Sequence, residues 1–382
     1  MNKSQHGFSL LELLVASSIG LTVILVMTSL FKTGMDATMK VTQRAETQQN
    51  LRAAVQLMTK DISLAGGGIP SGGLQLSSAG VSKFGCNQAG TCYVTGGTYP
   101  NSATGSPNYM YAIEPGFGTG VQNAAVITAA PGQTNSSITS VYCDYNFPLS
   151  NFTFAIPAAG TSATVGVINA AITPNNILAP GGLQVGDLIL FTVSTPGNGK
   201  SASGTSLVQN AAVVAEVTGI PSNTALTFAT GDALNFNFAT GTNNLAAVAS
   251  AAAGAGAQTS ACRLQVVTYF LQVPVAGGTV QTPRLMRQVN GLNAVPVADN
   301  IINLQFTYDV IDSTTGTVVA NQQNPIGAGE SPSLIQKVNL WVMGTSLTTD
   351  GNRAQNMYLA TAVSTRDMSF CNSYSSSTTA CQ

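Results

Sequence analysis

Glu12 is a carboxylate inside an apolar run that begins at Phe8 and ends near Phe31. That run is long enough to cross a bilayer, for which about 20 residues are needed. An ionised acid held at that depth costs roughly 2.5 to 3.5 kcal/mol on insertion scales, so an intramembrane Glu is first a functional candidate. Its natural partner is a positive charge in an equally dry place. Gly7 is the only good cleavage position nearby, and it precedes the apolar region, whereas a secretory signal is cut after its own. A cut after Gly7 leaves the helix on the mature chain and creates a new α-amino group on Phe8. Identical helices packed side by side with an axial offset would bring that amine to Glu12 of a neighbour. The alternative is a plain signal-anchor helix whose Glu12 snorkels to the interface.

Other chemistry is sparse. The only histidine, His6, lies before Gly7, so a chain cut there has no histidine for a Ser/His or Cys/His site or for zinc. Two carboxylate pairs stand close enough to consider, Asp309 with Asp312 and Glu330 with Asp350. The first flanks Ser313-Thr314-Thr315-Gly316 and reads as a solvated hairpin end. No loop matches a calcium motif, and no glycine-rich stretch carries the Gly-Lys-Ser/Thr of a phosphate cradle. The sequence points to no catalytic residue, metal or cofactor, and the chain reads as a non-enzyme.

The six cysteines, Cys86, Cys92, Cys143, Cys262, Cys371 and Cys381, all follow the apolar run. In an oxidising compartment they are disulfide candidates, with 15 possible connectivities. Proximity favours Cys86–Cys92 and Cys371–Cys381, which leaves Cys143–Cys262; free buried thiols are the other option. Tyr93, Tyr99, Tyr109, Tyr111 and Phe117 gather in one loop-rich region. They could form a stacking platform for an adhesin, or fill a small satellite core.

The stretch Gly7-Phe8-Ser9-Leu10-Leu11-Glu12-Leu13 resembles the type IV prepilin signature, Gly-Phe-(Ser/Thr)-Leu-x-Glu. The resemblance implies a prepilin peptidase that cuts between Gly7 and Phe8 and methylates the Phe8 amine. It also implies that Glu12 sets the register of the subunit in a filament. Counting positive charges does not favour a cytoplasmic leader, since Lys3 faces Lys32, Lys40 and Arg44 across the span; the motif is what orients the chain.

The elements that must carry this end are legible. Leu51, Val55, Met58 and Ile62 form an i, i+4, i+7, i+11 stripe that should pack on a globular domain. Gly66-Gly67-Gly68 and Pro70 should stop the helix. One helix over 8–65 follows, with 8–31 in membrane or filament core, after a leader of residues 1–7. Charged residues are 8% of the 382, against about 25% in an average soluble chain, and no basic cluster offers a nucleic-acid footprint. Residues 66–382 read as a β-rich domain with an insertion at about 69–260. Strand candidates there are 124–129, 137–142, 188–193, 211–217 and 225–228, while 246–257 reads as a loop or a weak helix. From Cys262 onward, alternation over 264–273, 284–289, 301–310, 333–345 and 357–365 predicts a mainly antiparallel sheet with one wet face. The fold class is α+β.

The order Tyr269-Phe270-Leu271, Leu285-Met286-Arg287, Val297 through Tyr308, Val338-Asn339-Leu340-Trp341-Val342 and Thr365-Arg366-Asp367 resembles the PilW family of minor pilins, which are related to the J-type pseudopilins of type II secretion. Gly186-Asp187-Leu188-Ile189-Leu190 fits as well, and Lys337-Val338-Asn339 stands where the family often has Val-Arg-Val. The resemblance implies a minor pilin that helps initiate or cap a type IV pilus; a J-type pseudopilin and a filament-tip adhesin are the alternatives. It implies as partners the prepilin peptidase, other minor pilins and the major pilin. The implied location is the bacterial inner membrane as a single-pass protein, then the pilus surface, with the domain periplasmic or extracellular.

Overall fold

The computed structural model describes residues 9–70, 73–76, 109–116, 121–122, 135–147, 149–167, 182–196, 207–222, 224–232, 234–238, 244–254, 257–273, 275–276, 279–280, 282–325, 330–346 and 355–365. The expected strand at 124–129 lies outside them.

One helix, α1 (Leu10–Leu64), opens the chain. Its 55 residues make a rod of about 82 Å at 1.5 Å per residue. No residue from 10 to 46 is buried. The expected stripe is: Leu51, Val55, Met58 and Ile62 are all buried, with Ala54 between them. The glycine turn then ties the helix to the sheet. The Gly66 N–H donates to the Val141 carbonyl at 3.0 Å, and the Cys143 N–H donates to the Gly67 carbonyl at 2.7 Å. Gly68 has φ +75°, and a Cβ there would lie 2.6 Å from the Cys143 sulfur, so backbone freedom and close approach both demand glycine.

The chain continues through β1 (Leu74–Gln75), β2 (Tyr109–Met110), β3 (Ile113–Gly116), β4 (Val121–Gln122) and β5 (Ser137–Cys143). Next come β6 (Phe152–Ala155), β7 (Ser162–Val167), β8 (Leu188–Pro196), β9 (Leu207–Glu216), β10 (Gly219–Ser222) and β11 (Ala225–Thr227). The Ala-rich tract left open between loop and helix forms α2 (Leu245–Ala252), capped by the Asn244 side chain and anchored by buried Leu245 and Val248. Then follow β12 (Gln258–Gln272), β13 (Val275–Ala276), β14 (Thr279–Val280), β15 (Arg284–Val289), β16 (Val295–Asp299), β17 (Ile301–Ile311), β18 (Val318–Gln322), β19 (Ile335–Ser346) and β20 (Gln355–Ser364).

The long strand β12 is the spine. Its first half pairs with β8, which pairs in turn with β9. Its second half pairs with β15 on that edge and with β5 on the other. The stretch 69–260 is therefore woven into the main sheet: β5, β8 and β9 hydrogen-bond to or beside a strand that begins at its end. A separate four-stranded sheet, β10-β11-β7-β6, builds a second core with β8, β9 and α2 around Phe154, Phe191 and Phe228, whose rings meet edge to face.

The last third forms an all-antiparallel sheet in the order β18-β17-β19-β20. Its inner residues, among them Leu304, Phe306, Leu340 and Val342, join the helix stripe in one core. The helix lies against β19, β20, β16 and β5. Gly344 lets it approach: a Cβ there would meet Thr47 at 3.2 Å and Leu51 at 3.3 Å. A long apolar-ended helix followed by antiparallel sheets is the α+β class expected from the sequence.

Candidate functional site

An acid is held by hydrogen bonds near each end of α1. At the N-terminal end, Ser9 is the N-cap. The Leu11 N–H donates to the Ser9 hydroxyl at 3.3 Å, and the Ser9 N–H donates to Glu12 Oε2 at 3.2 Å. This is a reciprocal capping box, which satisfies helix donors that otherwise lack partners. Glu12 also lies in the first turn, where a negative charge complements the helix dipole. The Ser-x-x-Glu spacing was present in the sequence and is the signal for this second role. Gly7 and Phe8, the expected cleavage and methylation positions, lie outside the described residues.

The run behind Glu12 is built to sit in an apolar medium. Leu10, Leu14, Ile19, Ile24 and Phe31 are all exposed. Its hydroxyl groups are satisfied inside the helix: Ser18 donates to the Val15 carbonyl, Thr22 to Ser18 and Thr28 to Ile24. No orphan donor is thereby offered to hydrocarbon, which is the condition for a spanning helix. Among the described residues α1 is long and apolar enough to cross a membrane.

At the other end, Asp61 points into the domain and is 2% exposed. One carboxylate oxygen accepts from the Tyr142 hydroxyl at 3.0 Å. The other accepts from the Tyr269 hydroxyl at 2.5 Å and from Arg287 Nε at 2.8 Å. The partners come from β5, β12 and β15, three adjacent strands of the main sheet. Burial and the Asp61 charge push both tyrosine hydroxyls well above their ordinary pKa. Burial works against the Arg287 charge, but the hydrogen bond and charge of Asp61 outweigh it and its pKa moves up. The result is an ion pair with a buried carboxylate and a half-buried arginine that clamps the helix to the sheet. Asp61 escaped the sequence reading because a lone aspartate on a helix reads as solvated. The available signal was its place three residues after Met58, inside the apolar stripe. Tyr269 and Arg287 fall in the segments Tyr269-Phe270-Leu271 and Leu285-Met286-Arg287 that carried the family resemblance.

Of the remaining candidates, those among the described residues have structural partners. Cys143 and Cys262 form a disulfide between the end of β5 and β12, with Cα atoms 5.7 Å apart. Arg263 beside it pairs with Asp144 and lies 4.1 Å over the Phe147 ring. Cys86, Cys92, Cys371 and Cys381 lie outside the described residues, as do Tyr93, Tyr99, Phe117 and Asp350. Asp309 and Asp312 are each held by their own partners. Burial alone would raise the Asp309 carboxyl, but Lys337 at 2.6 Å and donors on Asn321 and Asn339 hold it below the ordinary carboxylate range. The Asp312 carboxylate accepts the N–H groups of Thr314 and Thr315 in the β17–β18 turn, as a hairpin end should.

Residues 2–28 match the family model described as the prokaryotic N-terminal methylation motif. The N-terminal segment is type IV prepilin-like. The match ends inside α1 and covers Glu12 and most of the exposed apolar run. Comparison with curated proteins and with solved structures gave no match.

Proposed function

We propose that this protein is a minor pilin of a type IV pilus, of PilW type, that acts in the initiation or capping of the filament. The observation that carries the reading is the division of α1: residues 10–46 bury nothing within the chain, while the rest is clamped to a β-rich domain. A helix so apolar and so bare requires a membrane first and neighbouring helices afterwards. The role is structural rather than enzymatic.

In this reading a prepilin peptidase cuts between Gly7 and Phe8 and methylates the Phe8 amine. The chain waits in the inner membrane with its domain on the periplasmic side. On assembly, Glu12 trades the Ser9 N–H for the Phe8 amine of an adjacent subunit. In a dry interior that pairing is far stronger than in water, and it fixes the axial offset between helices. Other minor pilins and the major pilin are the partners. The capping box keeps Glu12 bonded before that exchange, so the carboxylate is never left bare.

A clean deletion strain tests the reading when sheared surface filaments and secreted proteins are both measured. Loss of pili with normal secretion is the expected result. Loss of secreted proteins with normal pili would instead make the protein a type II secretion pseudopilin, and both intact would remove the assembly role.

A further inference from the structure

Among the described residues, the outer strand β20 has one unpaired edge. Among the described residues it pairs only with β19, through ten consecutive residues without a register shift. Its sequence, Gln355 to Ser364, contains no charge, proline or glycine. Exposed edges are normally guarded by charges, prolines, bulges or short length, because their unpaired N–H and C=O groups template another strand. The opposite edge is guarded: β18 has five residues, and its pairing with β17 is broken by a register shift. Two further features mark β20 as a contact. Tyr358 is 73% exposed and stacks on Trp341 on the wet face of the sheet. A cleft of about 340 Å³ runs between β20 and the helix, with Gln48 and Arg52 on one wall and Met357 and Leu359 on the other, so the edge lies beside the helix.

What fits a row of backbone donors and acceptors is an extended strand, and topology decides whose. Each strand of the β18-β17-β19-β20 sheet is antiparallel to its neighbours, so the two outer strands run in opposite directions. Antiparallel pairing of β20 with a second β20 would need a half-turn about the sheet normal, which reverses the helix. Two helices inserted in one membrane from the same side cannot be reversed. Pairing β20 with the opposite edge of a like-oriented sheet is antiparallel and keeps the helices parallel, as a head-to-tail contact does in a helical assembly. We propose that β20 is a docking edge for β-augmentation, and that its occupant is the oppositely running edge strand of a different pilin-like subunit, because the corresponding edge of a second copy, β18, is short and bulged. The proposal rests on the pilin reading and adds the surface and strand polarity of the contact.

A photo-cross-linking amino acid at Ala360 of the full-length protein tests it, with Val295, exposed on the other sheet, as control position. The expected result is a light-dependent adduct at 360 and none at 295, its second polypeptide carrying a methylated N-terminal residue and joined through an edge strand. Moving the probe to Tyr358 and adding Ala360→Lys with Ala362→Lys should abolish that adduct while the melting temperature stays unchanged. Absence of the adduct while the protein is present in sheared filaments overturns the docking edge and leaves the pilin reading standing. An adduct joining two β20 segments also overturns it. A protein that is neither processed nor found in filaments defeats the pilin reading, and the docking edge with it.

Discussion

The two ends of α1 share one continuous backbone and have opposite surroundings. From residue 10 to 46 no side chain is buried, whereas Leu51, Ala54, Met58 and Ile62 are among the most buried residues of the protein. Each end carries one acid. Glu12 is exposed and bonded only to the cap of its own helix, with a 3.2 Å contact that a better donor can replace. Asp61 is buried and bonded to three side chains from three strands. The two acids stand about 74 Å apart along the rod at 1.5 Å per residue. The difference teaches that the two ends are separable: the inner acid is part of the fold, and the outer acid, which makes no contact with the domain among the described residues, is the one the proposed function assigns to a neighbour. Substitutions at one end should therefore leave the other untouched.

The largest expected effect comes from Asp61→Ala. It strands Arg287 and two tyrosine hydroxyls at the helix–sheet contact; breaking a buried pair costs about 3 to 5 kcal/mol, and the partial exposure of Arg287 puts the expected loss near the lower figure. Thermal unfolding of the full chain in detergent checks it; a change within experimental error would mean the clamp does not hold the helix. Cys143→Ser with Cys262→Ser is next. The bond spans 119 residues of chain, and loss of a native disulfide costs about 2 to 5 kcal/mol. Under oxidising conditions the variant should melt below the wild type by a corresponding amount. Equal melting of the two forms would contradict this.

A smaller effect concerns Glu114, which is 3% exposed and accepts the Tyr111 N–H at 2.7 Å. Burial raises its pKa well above the ordinary value, against the lowering effect of that N–H. The folded state then holds the proton to higher pH than the unfolded chain does. This group's contribution is fully present below the unfolded pKa of about 4.3, and it falls as pH rises through the raised folded value. Glu114→Gln should remove that loss and stabilise the domain at neutral pH. An unchanged slope of stability against pH above 4 would refute the assignment. The smallest stability effect belongs to Glu12→Ala, which removes one half of a capping box, worth about 0.5 to 1 kcal/mol at an exposed helix end.

Much of this division was legible beforehand. Periodicity located the docked stripe at Leu51, Val55, Met58 and Ile62, and alternation located most strands after Cys262, because both patterns record which face meets the core. The Gly66-Gly67-Gly68 stop was readable from backbone preference alone. The clamp was not readable, because Asp61 finds its partners 81, 208 and 226 residues away, and no local spacing reports contacts of that range. The weaving of β5, β8 and β9 into one sheet with β12 was hidden for the same reason: strand pairing is set by tertiary context, while the intervening Gly- and Ser-rich stretches signal only turns. At the other end the sequence was ambiguous in a different way. Glu12 fitted both a register acid and a residue that snorkels to the interface, and the Ser-x-x-Glu cap that the structure shows was not drawn from the sequence.

The most direct test of the division is Glu12→Ala in the full-length protein, with its amount in sheared filaments and the unfolding temperature of its domain measured on the same preparation. The account expects incorporation to be lost while the domain melts where the wild type does. Normal incorporation, or a domain that unfolds early, would contradict it.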